Sequence, residues 1–279
     1  MREFPSELAQ VRAMLARMLS PAGALAFAIA FVATPALAQA PGQRGDICAN
    51  RDGAYSRERQ LAACTGIIEA GVSPIGEMAN AYNYRGAIQR TQRNYAAAVA
   101  DFTQAIRYNP NFSNAYANRG SARASLGEHE QAIADFTQAI RLNPGFANAY
   151  NNRGNSHRAR GDYALAIADY TTALEIEPNA AGVLINRGRA FAGQRDYARA
   201  ISDFDAAIRL RPDNASAFLY RADALRAQNQ HARAIADYDI AIRIDPQLAS
   251  AYNGRGFSRR ALGDVSRAIA DFDQAARLE

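Results

Sequence analysis

Five prolines, Pro110, Pro144, Pro178, Pro212 and Pro246, stand 34 residues apart without a slip. A fixed period of this length marks a stacked array of one supersecondary unit, which cannot hide its apolar face alone and must lean on copies of itself. A chain built this way devotes its length to an extended surface rather than to one catalytic pocket.

Rows of 34 residues starting at Ala79 show what recurs: 79–112, 113–146, 147–180, 181–214, 215–248 and 249–279. The fourth place is large and apolar (Tyr82, Tyr116, Tyr150, Leu184, Phe218, Tyr252). The eighth is Gly86, Gly120, Gly154, Gly188 and Gly256, with Ala222 the one departure. Alanines at the twentieth and twenty-seventh places flank an aromatic at the twenty-fourth, from Phe102 and Phe136 through Tyr170, Phe204 and Tyr238 to Phe272. Offsets of three, four and seven are helical, so each row holds two amphipathic helices. In the second row they are expected over about 114–126 and 129–142, with Gly127 at the turn between them. The proline then breaks the chain before the next helix.

This pattern resembles the tetratricopeptide repeat (TPR) family across 201 of 279 residues. The first signature place departs from it, holding Tyr, Phe or Leu in a chain without Trp, but keeps its bulk. The resemblance implies an all-α fold, a right-handed α-solenoid of stacked antiparallel helix hairpins. Its inner, concave face would grip a peptide or another protein.

The first 40 residues are different material. Arg2, Arg12 and Arg17 precede an apolar run from Ala22 to Ala33, and Pro35 leads into Ala36-Leu37-Ala38. This reads as a secretory signal peptide over residues 1–38. The apolar run is short of the roughly 20 residues of a membrane-spanning helix; the rival reading is an uncleaved inner-membrane anchor. Export points to the periplasm or envelope of a Gram-negative bacterium. Without residues 1–38 the net charge is +4, too mild to argue for nucleic acid.

Both cysteines, Cys48 and Cys64, precede the first full row. Residues 39–78 read as a degenerate hairpin capping the stack and turning near Asp52-Gly53. A Cys48–Cys64 disulfide is expected in an oxidising compartment; two buried free thiols are the alternative. Two cysteines without a nearby histidine do not fill a zinc shell, and neither a metal nor a cofactor is expected. At the other end, the apolar column of Ile106 and Ile140 becomes Ala276, while Phe272 and Leu278 remain, so self-association through the last repeat is possible.

Places 2, 5, 9 and 12 of the first helix fall within about 80° of one another and form one stripe. In the resembling family this stripe lines the concave face. Here it is rich in amides and arginine: Asn80, Asn83, Asn114, Asn148, Asn151, Asn155, Arg158, Arg189 and Arg226, flanked by Asn118, Asn152 and Asn186. Amides both donate and accept, which suits an extended backbone, and Arg holds a carboxylate bidentately. The stripe is thus a candidate groove for a somewhat acidic segment; the alternative is solvated polar residues on exposed helices. A second ladder pairs Arg85, Arg119, Arg153, Arg187, Arg221 and Arg255 at the seventh place with Asp101, Asp135, Asp169, Asp203, Asp237 and Asp271 at the twenty-third. It points away from the stripe and is expected to be structural. No nucleophile elbow, phosphate loop, dinucleotide fingerprint or HExxH helix is present, and no catalysis is expected. A non-catalytic interaction scaffold is the leading reading, a structural component of an envelope export or assembly complex the alternative.

Overall fold

The computed structural model describes residues 41–50, 53–71 and 74–278; the expected signal peptide lies outside them. Among the described residues there are fourteen helices and no strand: α1 (Pro41–Ala49), α2 (Arg57–Ala70), α3 (Ile75–Thr91), α4 (Tyr95–Tyr108), α5 (Ser113–Ser125), α6 (His129–Leu142), α7 (Ala147–Ala159), α8 (Tyr163–Ile176), α9 (Ala181–Gly193), α10 (Tyr197–Leu210), α11 (Ala215–Ala227), α12 (His231–Ile244), α13 (Ala249–Ala261) and α14 (Val265–Leu278). None is long and apolar enough to cross a membrane. The helices form two compact units, one ending at Arg85 and the other running from Gly86.

In the N-terminal unit α1 packs on α2, and Cys48 and Cys64 are joined by a disulfide with their Cα atoms 4.8 Å apart. Ile47, Ile67, Met78 and Ala81 close around the sulfurs, where later rows place an aromatic ring. Asn50 brackets the intervening turn: its Nδ2 donates to the Tyr55 carbonyl and its Oδ1 accepts from the Tyr55 amide, both at 3.0 Å. Helix α3 begins at Ile75, four residues ahead of the row boundary at Ala79, because the segment after Pro74 carries no break before the repeat pattern.

In the second unit consecutive helices pair as hairpins, and each hairpin's first helix packs on the second helix of the one before. This is an all-α solenoid. The second-row helices lie within one residue of the expected bounds. Each second helix stops two residues before its proline. The intervening residue (Asn109, Asn143, Glu177, Arg211, Asp245) has φ between −126° and −140°, the extended backbone that a following proline imposes.

Hairpin closure rests on the glycine column. A Cβ on Gly154 would lie 2.8 Å from the Tyr170 ring and one on Gly188 2.6 Å from the Phe204 ring, so the aromatic of each second helix lies directly on the backbone of its first. Where the column departs to Ala222, the Tyr238 ring shares a core cluster with that alanine and also lies against Gly254 of the next hairpin, where a Cβ would meet it at 2.5 Å.

The seventh-place arginines hold the stack in two directions. Arg153 donates through Nε and Nη2 to the Asp169 carboxylate at 2.9 and 2.6 Å, and through Nη1 to the Thr137 hydroxyl of the preceding hairpin at 3.0 Å. Arg119, Arg187, Arg221 and Arg255 repeat this arrangement, reaching back to Thr103, Thr171, Asp205 and Asp239. The carboxylates of this ladder are buried. The hydrogen bonds it donates to Asp169 raise the Arg153 guanidinium above its ordinary pKa against the cost of burial, and those to Asp203 and Asp237 do the same for Arg187 and Arg221.

Candidate functional site

Within the second unit, first helices touch first helices one hairpin on (α5 with α7, α7 with α9, α9 with α11, α11 with α13), while no such contact joins second helices. The first helices therefore line the inner side of this stack, and the stripe expected from the sequence lies on them.

The structure divides the stripe residues. Asn114 and Asn148 are exposed at the starts of α5 and α7, and Asn118 is half-buried on α5. Asn186 Nδ2 donates to Asn151 Oδ1 at 3.0 Å and Asn151 Nδ2 to Asn152 Oδ1 at 3.2 Å, so three amides from two hairpins form one chain. Asn155 accepts from the Tyr170 hydroxyl at 2.8 Å. Asn80 is exposed and Asn83 buried, 8% accessible, both in the N-terminal unit. Burial leaves the Asn83 side chain little surface to offer a ligand. Asn80 lines a shallow hollow there with Asp46, Glu77 and Tyr84.

Arg226, half-buried, belongs to a polar knot. The Tyr238 hydroxyl donates to Asp223 Oδ1 at 2.7 Å and accepts from Arg226 Nε at 3.2 Å, and Arg226 lies 3.6 Å from Asp223. Burial, then the adjoining Asp223 carboxylate, pushes the Tyr238 hydroxyl well above its usual pKa; burial likewise raises Asp223 against the Tyr238 hydrogen bond.

Arg158 and Arg189 are brought together on the lining of one cavity of about 270 Å³, with Tyr163, Tyr197, Phe204 and Tyr220. Arg189 stacks 4.6 Å above the Tyr220 ring, and Arg158 faces the Tyr170 hydroxyl. Neither guanidinium has a carboxylate partner among the described residues, unlike the seventh-place arginines. The aromatic lining is absent from the sequence-based site. The signal was a difference from both flanking rows, Ala192 between Arg158 and Arg226, and Phe204 between Tyr170 and Tyr238; the row 113–146 has the same residue pair, Ala124 and Phe136, but only one flanking row with arginine and tyrosine together.

Tetratricopeptide repeat models match residues 79–112, 147–180, 102–134 and 185–249, and a TPR repeat model matches 120–158. None of the curated proteins matches the sequence. Solved structures similar to this chain include a tetratricopeptide repeat protein from Parabacteroides merdae (21% identity, TM-score 0.69, covering 85% of this chain and 93% of that one). PilF of Pseudomonas aeruginosa is 21% identical with a TM-score of 0.64, over 73% of this chain and 93% of its own. YrrB, described as a TPR protein with an unusual peptide-binding site, is 21% identical with a TM-score of 0.52, over 64% of this chain and 92% of its own. With more than half of its length matched by repeat models and hairpins stacked as those models require, this chain belongs to the tetratricopeptide repeat family.

Proposed function

We propose that this protein is a non-catalytic scaffold that binds an extended peptide or protein segment along the inner face of its first helices. The observation that carries the reading is the sorting of charge on those helices. The seventh-place arginines are used up in ion pairs between and within hairpins, while Arg158 and Arg189 on the stripe have none among the described residues. An extended acidic segment supplies carboxylates for these guanidiniums and backbone groups for the Asn151–Asn186 amides. The peptide-binding site of the similar protein YrrB supports the same use of the fold. The test is a crosslinking pulldown comparing the wild type with Asn151→Ala/Arg158→Ala. A partner recovered by the first and lost by the second is expected; equal recovery of every partner rejects the binding face.

The place of action belongs to the same proposal: export to the periplasm through residues 1–38. The basic start, the short apolar run and the Cys48–Cys64 bond, which suits an oxidising compartment, support it. Cell fractionation with N-terminal sequencing of the mature protein tests it; an intact N-terminus in the membrane fraction favours the uncleaved anchor instead.

A second reading, a structural part of an envelope assembly joined through copies of itself, is favoured by α14. Val265 and Ile269 are each 55% exposed there, whereas their counterparts in earlier hairpins are half-buried. Light scattering separates the two: a concentration-independent monomer supports the adaptor, a defined oligomer the structural part.

A further inference from the structure

The cavity on α7, α9 and α11 lies where a hairpin lacks two groups that both of its flanking hairpins have. In the hairpins α7–α8 and α11–α12, an arginine of the first helix reaches the tyrosine hydroxyl of the second, Arg158 to Tyr170 and Arg226 to Tyr238. In the hairpin α9–α10 those places hold Ala192 and Phe204, so neither the guanidinium nor the hydroxyl fills the space. Gly193 lets the Tyr163 ring of the preceding hairpin lie against its backbone and form one wall of that space, since a Cβ there would be 2.5 Å from the ring. What remains is a hollow of about 270 Å³ beside Phe204.

Its chemistry is two-sided. Tyr163, Tyr197 and Tyr220 give an apolar, planar wall, while Arg158 and Arg189 bring two positive charges to the same lining. Asp223 is the one carboxylate there, and it is already engaged by Tyr238 and Arg226. Stacking on Tyr220 holds the Arg189 guanidinium in place, and no hydrogen bond to another described residue engages its N–H groups. The volume falls below the roughly 300–1,000 Å³ of pockets that enclose whole small molecules, and fits a single anchoring side chain.

We infer that this cavity takes an aromatic side chain of the bound segment, with a carboxylate of the adjacent residue held by Arg158 and Arg189. The inference rests on the inner-face reading and makes it specific: the segment carries an aromatic–acidic pair, and its register on the face is set at α9. A ring slides between aromatic walls edge-on or offset, where stacking adds to apolar burial. The neighbouring carboxylate then meets two guanidiniums partly shielded from water, so its hydrogen bonds are charge-assisted.

The experiment selects phage-displayed random dodecapeptides on the purified full chain, then titrates the enriched peptide by fluorescence anisotropy. Enrichment of Phe, Tyr or Trp next to Asp or Glu is expected. Filling the hollow with Ala192→Phe should weaken that peptide at least tenfold, and Arg189→Gln should do so while abolishing the preference for acid over its amide. A synthetic peptide ending in Phe with a free carboxylate, compared with its amidated form, shows whether a chain end serves in place of an acidic side chain. Melting by circular dichroism accompanies each variant, and Ala192→Leu replaces Ala192→Phe if the latter unfolds. Peptides that lack the aromatic–acidic pair, or that bind Ala192→Phe and Arg189→Gln as well as wild type, overturn the cavity assignment. If those peptides are still weakened by Asn151→Ala, the inner-face reading survives that failure. If no peptide is enriched, or none responds to Asn151→Ala/Arg158→Ala, both fall.

Discussion

Arg221 and Asp237 meet across one hairpin through two parallel N–H···O bonds of 2.8 and 2.7 Å, and the remaining arm of the same guanidinium reaches Asp205 of the hairpin before it at 2.5 Å. One side chain therefore ties a first helix to its own second helix and to its neighbour's. Repeat proteins draw their stability from hairpin-internal and nearest-neighbour terms, and here a single residue serves both. The same arginine lies over the Phe218 ring at 5.5 Å, which fixes the plane of the fork.

Removing one carboxylate of this ladder is expected to be costly. In Asp169→Ala the Arg153 guanidinium, four-fifths buried, keeps the Thr137 hydroxyl and the Tyr150 ring but no carboxylate. A loss of about 2–4 kcal/mol is expected, lowering the melting temperature by several degrees. Asp205→Ala removes a partner that is 39% exposed and should cost under about 1 kcal/mol. Thermal melts of the two variants check the order, which reverses if the cross-hairpin arm dominates.

The glycine column sets how closely two helices approach. Gly154→Ala drives a methyl to 2.8 Å from the Tyr170 ring, which is fully buried and has no free space to retreat into. Overpacking of this kind costs about 1–3 kcal/mol. Urea unfolding of Gly154→Ala measures it, and Gly182→Ala, where a Cβ meets nothing, serves as the control.

Three hairpin turns carry a strained residue that could be relieved. The left-handed turn position is glycine at Gly127, Gly161 and Gly263, but Arg93, Arg195 and Asn229 hold it at φ of 63°, 62° and 59°. Arg195→Gly should stabilise by about 0.5–1 kcal/mol, the left-handed penalty exceeding the extra chain entropy of glycine. A higher midpoint in denaturant is the expected outcome.

In the N-terminal unit the disulfide closes a loop spanning 16 residues of sequence. Cys48→Ala/Cys64→Ala should destabilise that unit by about 3 kcal/mol. Hydrogen exchange is expected to show lost protection around Ile47, Ile67 and Met78, while α7 to α12 keep theirs.

Much of this architecture was legible in the sequence because repetition turns a weak local signal into six concordant ones. The 34-residue proline period, the Gly154–Tyr170 type of contact and the Arg153–Asp169 type of pair all stand in columns. What columns hide is the singular. The turn at Arg195 keeps its left-handed backbone without glycine because the flanking helices fix it. The Asn151–Asn186 bond depends on how two hairpins abut, which no single row displays. The cavity beside Phe204 lies where Ala192 and a phenyl ring stand between two rows that both have an arginine and a phenol, and an absence draws no attention until its neighbours surround it. The cross-hairpin arm from Arg153 to Thr137 was equally invisible, because the partner's place holds Thr in some rows and Asp in others.

The division of arginines into those that hold the stack and those that hold a ligand is tested most directly by one matched pair, Arg153→Gln and Arg189→Gln, each measured for melting temperature and for affinity toward the selected peptide. The expected result is a crossed one: Arg153→Gln melts several degrees lower yet binds as the wild type does below its transition, and Arg189→Gln melts like the wild type yet binds at least tenfold more weakly. A lowered melting temperature for Arg189→Gln with unchanged binding would contradict that division.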